Sequence, residues 1–125
     1  MDRISFRTRN NIPFYNKKVI IEEPNLSYIN QLSGGDEAFK TKLITIIKTE
    51  FPQEKTIYFK NLTAKNFKEA SENVHKLKHK ISILGLEKSY AIAADFENNL
   101  KKNKEVGKEE FDNILQAITD FLNTL

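Results

Sequence analysis

Between Phe67 and Leu84 the residues Phe67, Ala70, Val74, Leu77, Ile81 and Leu84 recur at alternating gaps of three and four without a miss. That is the period of an α-helix with one apolar face, and such a face must be buried against another element. The helix is expected over about Asn66–Leu84, with Gly85 stopping it. The same period recurs on either side. A short helix over about Leu26–Leu32 precedes Ser33-Gly34-Gly35-Asp36, where the glycines end one helix and Asp36 or Gly35 caps the next. Phe39, Leu43, Ile46, Ile47, Ile57 and Leu62 then mark a long helix, either kinked or split in two at Pro52. A fourth helix over about Glu87–Lys102 uses Tyr90, Ala93, Ala94, Phe96 and Leu100. A fifth, after Gly107, uses Phe111, Ile114, Leu115, Ile118, Phe121, Leu122 and Leu125. No strand pattern competes. Short connections make neighbours antiparallel, so the expected fold is all-α: an antiparallel up-and-down four-helix bundle with a short extra N-terminal helix.

Residues 1–24 lack a sustained helical period and contain Pro13 and Pro24, which reads as an extended N-terminal arm or linker, with Val19-Ile20-Ile21 pinned to the body. The domain is then residues 25–125. Arg3, Arg7, Arg9, Lys17 and Lys18 against Asp2 give the first 20 residues +4, leaving −1 of the total +3 for the remainder. A near-neutral body does not suit nucleic-acid binding, and no such partner is expected. Hydrophobic residues make up 39% of 125 and include nine Phe, sufficient for one compact core. Cysteine is absent, which excludes disulfides, thiol nucleophiles and cysteine-based zinc sites. No apolar stretch approaches the roughly 20 residues that span a bilayer, and the first residues lack the apolar core of a signal peptide. The expected setting is the cytoplasm, away from membranes. No second apolar stripe stands out for self-association, so a monomer is expected.

Both histidines lie in the stretch NVHKLKHKISILG, Asn73 to Gly85, among three lysines. With each helical residue advancing about 100°, His75 falls roughly 130° from the middle of the apolar arc. Lys78 lies between His75 and the core edge, and Lys80 points roughly 140° away from His75, as a solvated residue would. Ser71, Glu72, His79 and Ser82 complete the outward face. A histidine in such a place is most often simply solvated. As an i, i+4 pair His75 and His79 have a zinc spacing, but a stable site wants three or four ligands and the chain has no third histidine. The lysines alone give at most weak, salt-sensitive nucleic-acid contact. A third chemistry is phosphoryl transfer. A neutral imidazole has a nucleophilic lone pair, and transfer to it needs chiefly positioning and positive charge near the phosphoryl oxygens, which Lys78 supplies.

The stretch VHKLKHKISILGLEKSYAIAADFENNL resembles the core of histidine-containing phosphotransfer (HPt) domains, whose pattern is roughly H-x-L-K-G followed by small or apolar residues, a glycine and a helix ending in L-E. His75, Leu77, Lys78, Gly85 and the Phe96-Glu97 ending match it, and residues 26–125 follow the same order of elements. The resemblance implies a phosphorelay intermediate. His75 would accept a phosphoryl group from the aspartyl phosphate of one receiver domain and pass it to another, with Lys78 steadying the phosphoryl oxygens. It implies no autonomous kinase activity. The partners would be receiver domains of response regulators or of a hybrid histidine kinase, docking on the face that bears Ser71, Glu72, His79 and Ser82. No cofactor would belong to this chain; magnesium would belong to the receiver. One departure is His79, which stands where the family usually has a small residue. The rival expectation is a helical adaptor that binds a partner through the same face without carrying phosphate.

Overall fold

The computed structural model describes residues 22–125, and the reading of residues 1–21, including Val19-Ile20-Ile21, lies outside them. Five helices account for the regular structure of the described residues, with no strand among them: α1 Ser27–Ser33, α2 Glu37–Thr63, α3 Phe67–Ile83, α4 Glu87–Lys101 and α5 Lys108–Leu122. None is long and apolar enough to cross a membrane. The fold of the described residues is all-α.

The boundaries follow from local chemistry. Asp36 is the N-cap of α2, its carboxylate accepting the Phe39 amide at 3.0 Å, and Gly34 closes α1 in the left-handed region at φ 55°. At the end of α3 the Leu86 amide donates to the Ile81 carbonyl and the Gly85 amide to the Ser82 carbonyl, the paired bonds of a Schellman turn. Gly85 adopts φ 79° there, and a Cβ on it would come within 2.6 Å of the Asn25 side chain. Pro52 does not split α2, which runs unbroken through it. The proline is exposed, so the carbonyl it leaves without an amide partner faces water.

The short turn after α2 folds α3 back along it. Asn61 on α2 bonds Asn73 on α3 at 2.7 Å, and Lys80 farther along α3 meets Glu54 and Glu50 nearer the start of α2, so the two run antiparallel. α5 returns along α2 in the same sense: Lys55 donates to Thr119 at 2.6 Å and Tyr58 to Asp112 at 2.8 Å. One continuous core of Ile29, Ile47, Phe51, Tyr58, Leu62, Leu77, Ile81, Phe96, Leu100, Phe111, Leu115 and Ile118, among others, lies between the helices. Tyr58, Phe96 and Phe111 pack with ring centroids 5.2–6.2 Å apart. Ahead of α1, the chain is already fixed to the body. The Asn25 amide donates to the Leu84 carbonyl, and the Glu22 carboxylate accepts the Lys88 and Ser89 amides at the first turn of α4. Those bonds, together with the Lys88 charge, hold Glu22 below the usual carboxylate range against the upward push of its partial burial.

Three sequence expectations change here. On α2 two apolar stripes lie side by side, and the stripe through Phe39, Ile46 and Ile57 is the outer one, each residue being at least 40% exposed. The buried stripe is Ile47, Phe51, Tyr58 and Leu62. The outer stripe is also the second apolar stripe that the sequence did not bring out. Lys80, expected to be solvated, is buried between α3 and α2, with its ammonium 2.9 Å from Glu50 and 3.2 Å from Glu54. Ser71, expected on the outward face, is 2% exposed and donates to the Lys68 carbonyl at 2.7 Å. One cause accounts for Lys80 and Ser71. α3 packs against two helices, α2 and α4, so its buried sector is wider than its apolar stripe and takes in polar residues on both edges.

Lys80→Ala strands Glu54, one of whose carboxylate oxygens is already buried without a hydrogen-bond partner among the described residues. Urea unfolding is expected to show a loss of about 1–3 kcal/mol. Replacing Lys80 and Glu54 together by methionine is expected to cost much less, because no buried charge is then left alone.

Candidate functional site

His75 sits midway along α3 on the side that faces α4, with its side chain 56% exposed. Opposite, α4 presents Glu97 in its penultimate turn. Phe96 and Leu100 anchor that turn in the core, and Glu97 lies just beyond Phe96 on the same inward arc, 8% exposed. A carboxylate so placed needs partners, and it has three. Oε2 lies 3.2 Å from His75 Nδ1 and 3.4 Å from the Lys101 ammonium, and Oε1 lies 2.8 Å from the Lys78 ammonium. The Lys78 contact is a charge pairing rather than an aligned hydrogen bond, since Oε1 has no well-directed donor. Lys78 is itself mostly buried, its side chain 11% exposed and its ammonium 5.2 Å from the centre of the Tyr90 ring.

This geometry sets the tautomer of the neutral imidazole. An ionised carboxylate can only accept, so Nδ1 carries the ring proton toward Glu97 and the Nε2 lone pair is left for another partner. Glu97 is ionised for a stated reason. Burial alone would raise its pKa, but the Lys78 contact, then Lys101 and the charge His75 can carry, outweigh burial and hold it below the ordinary range.

The other expected site residues are less tightly gathered. His79 is exposed, with its ring edge-to-face with that of His75 at 5.4 Å between centroids. Ser82 is exposed beside Glu87 and Tyr90, which line a shallow depression with it. Glu72 is exposed, one turn before His75. Ser71 does not reach the surface. No group of three or more potential metal ligands occurs among the described residues. Sequence reasoning met Glu97 only in the Phe96-Glu97 ending of the family match, and gave neither it nor Lys101, the two residues of α4 that organise the site, a place beside His75. A signal was present, for a glutamate one residue after Phe96 and four after Ala93 falls within an apolar arc, where a charge requires a counter-charge.

No protein-family model, curated protein or solved structure matches the chain.

Glu97→Ala is expected to return the His75 ring toward the Nε2-protonated tautomer that free imidazole prefers, read from its two nitrogen shifts in 15N NMR. A second consequence concerns pH. Because the folded-state pKa of Glu97 is depressed, its ionisation stabilises the fold fully above the ordinary carboxylate value of about 4.3, and that stabilisation is lost as pH falls through the lower folded value. The stability difference between wild type and Glu97→Gln is therefore expected to shrink below about pH 4 in acid titration of the fold.

Proposed function

We propose that the chain is a phosphorelay intermediate of the HPt kind, with His75 as phosphoacceptor. The observation that carries this reading is the Glu97 carboxylate on Nδ1 of a half-exposed histidine. It leaves Nε2 as the nucleophile and provides a counter-charge for the ring that phosphorylation makes cationic. In the step proposed, the Nε2 lone pair attacks the phosphorus of an aspartyl phosphate on a receiver domain. The N–P bond forms as the acyl P–O bond breaks, and the receiver regains its carboxylate. The ring keeps its Nδ1 proton throughout, and its new positive charge is met by Glu97. Reversal toward a second receiver completes the relay. Lys78 supports the step by keeping Glu97 ionised and by adding positive charge to the field that the phosphoryl group enters.

The receiver brings its own magnesium, and this chain needs no cofactor. We further infer that α2–α5 form an up-and-down four-helix bundle with α1 across one end, working as a cytoplasmic monomer so that phosphohistidine stays accessible to successive partners. The face bearing Glu72, His79 and Ser82 is the docking side. His79 stands on it where the family has a small residue, and there it tunes which receivers approach closely.

Incubation with a phosphorylated receiver is expected to place acid-labile, alkali-stable phosphate on His75. His75→Gln is expected to abolish labelling while changing stability by less than about 0.5 kcal/mol, as surface substitutions usually do. Labelling of that variant at the wild-type level would refute the assignment. Lys78→Ala is expected to slow transfer about 10- to 100-fold. By contrast, His79→Gly should keep its capacity to accept phosphate, at a cost of about 1 kcal/mol relative to alanine for glycine inside a helix. A folded His79→Gly as inert as His75→Gln would show that both imidazoles belong to the reacting unit.

A further inference from the structure

Two lysines share Glu97, and they are not equivalent. Lys78 is held from two sides, by Oε1 at 2.8 Å and by the Tyr90 ring, with its side chain 11% exposed. Lys101, in the last turn of α4, is 59% exposed and makes the longer contact, 3.4 Å to Oε2. That same oxygen touches His75 Nδ1 at 3.2 Å. The Lys101 ammonium is therefore no farther from His75 Nδ1 than those two contacts laid end to end, and its side chain is mostly exposed to water. Of the two lysine contacts with the buried carboxylate, that of Lys101 is the longer and the more open to water. Its place beside the histidine is the more consequential property.

The charges follow the same division. With a neutral ring, one carboxylate faces two ammonium groups, an excess of one positive charge at the mouth of the site. Phosphorylation at Nε2 makes the ring cationic, so that Glu97 acquires a second close counter-charge, while the phosphoryl oxygens bring negative charge outside it. The weaker of the two lysine contacts is the one that yields. We propose that Lys101 leaves Glu97 on phosphorylation and binds the phosphoryl oxygens on His75, while Lys78 stays in place. This rests on the phosphoacceptor reading above and assigns a contact within it. Lys101 remains protonated and gives up no proton, so the bonds made and broken are those already stated.

The test needs no partner protein. Potassium phosphoramidate phosphorylates accessible histidines directly, its P–N bond breaking as ammonia leaves. Wild type, Lys101→Ala, Lys101→Arg and the adjacent exposed control Lys102→Ala are treated alike and followed by 31P NMR. Two quantities are read: the rate of phosphohistidine formation and the pH midpoint of the last phosphoryl ionisation. Lys101→Ala is expected to form phosphohistidine about 10-fold more slowly, as for loss of one charge-stabilising contact. Its phosphoryl midpoint is expected to rise, since the dianion has lost a cation. Lys101→Arg should restore both, and Lys102→Ala should match wild type. A slower Lys101→Ala with an unmoved midpoint would mean a merely structural part and would overturn the proposal, as would Lys101→Ala indistinguishable from wild type. Wild type that takes no phosphate on His75, from phosphoramidate or from a phosphorylated receiver, would instead overturn the phosphoacceptor reading and this inference with it.

Discussion

The Glu97 carboxylate is the contact on which the site depends. Removed from water on the inner side of α4, it remains ionised chiefly because α3 brings the Lys78 ammonium against one oxygen, with Lys101 and His75 beside the other. The same contacts fix the rotation of α3 relative to α4, since a turn of either helix by one residue would leave a buried charge without its partner. Electrostatics and packing thus specify a single register. A second anchor of the same kind lies on the opposite edge of α3, where Lys80 reaches across to Glu50 and Glu54. Between the two anchors the histidine-bearing helix has little freedom to slide or roll. A half-exposed imidazole can therefore hold a fixed direction without being enclosed.

How far the sequence led depends on which physical signal each residue carried. The unbroken stripe of α3 and the left-handed glycine at its end left one reading open, and the helix runs within a residue of the expected bounds. α2 was harder. Its apolar residues form two adjacent stripes, and periodicity alone does not say which of two helical faces a neighbour covers. Phe51 and Tyr58 were passed over for Phe39 and Ile57, which face water. Lys80 and Ser71 mark the other limit. A helical wheel gives angles around one helix, whereas burial depends on how many neighbours that helix has, and α3 has two extensive ones.

The candidate site divides in the same way. His75 and Lys78 were legible because both lie on one helix at fixed spacing. Glu97 and Lys101 were not, because their relation to His75 is set by the register of α3 on α4, with 22 positions of chain between His75 and Glu97. No local pattern encodes that register. The trace left in the sequence was a charge within an apolar arc, which points to a partner without naming it.

The contact made by Glu22 has a further consequence. The Lys88 and Ser89 amides belong to the first turn of α4 and have no carbonyl of that helix to pair with. Glu22, more than 60 positions earlier in the chain, supplies their acceptor. Their exchange with deuterated solvent therefore reports on something remote from α4 itself: whether the strand of chain ahead of α1 is seated. Two backbone amides act as a gauge of that seating, readable in the native protein without a label and at the end of the turn that leads out of the histidine helix.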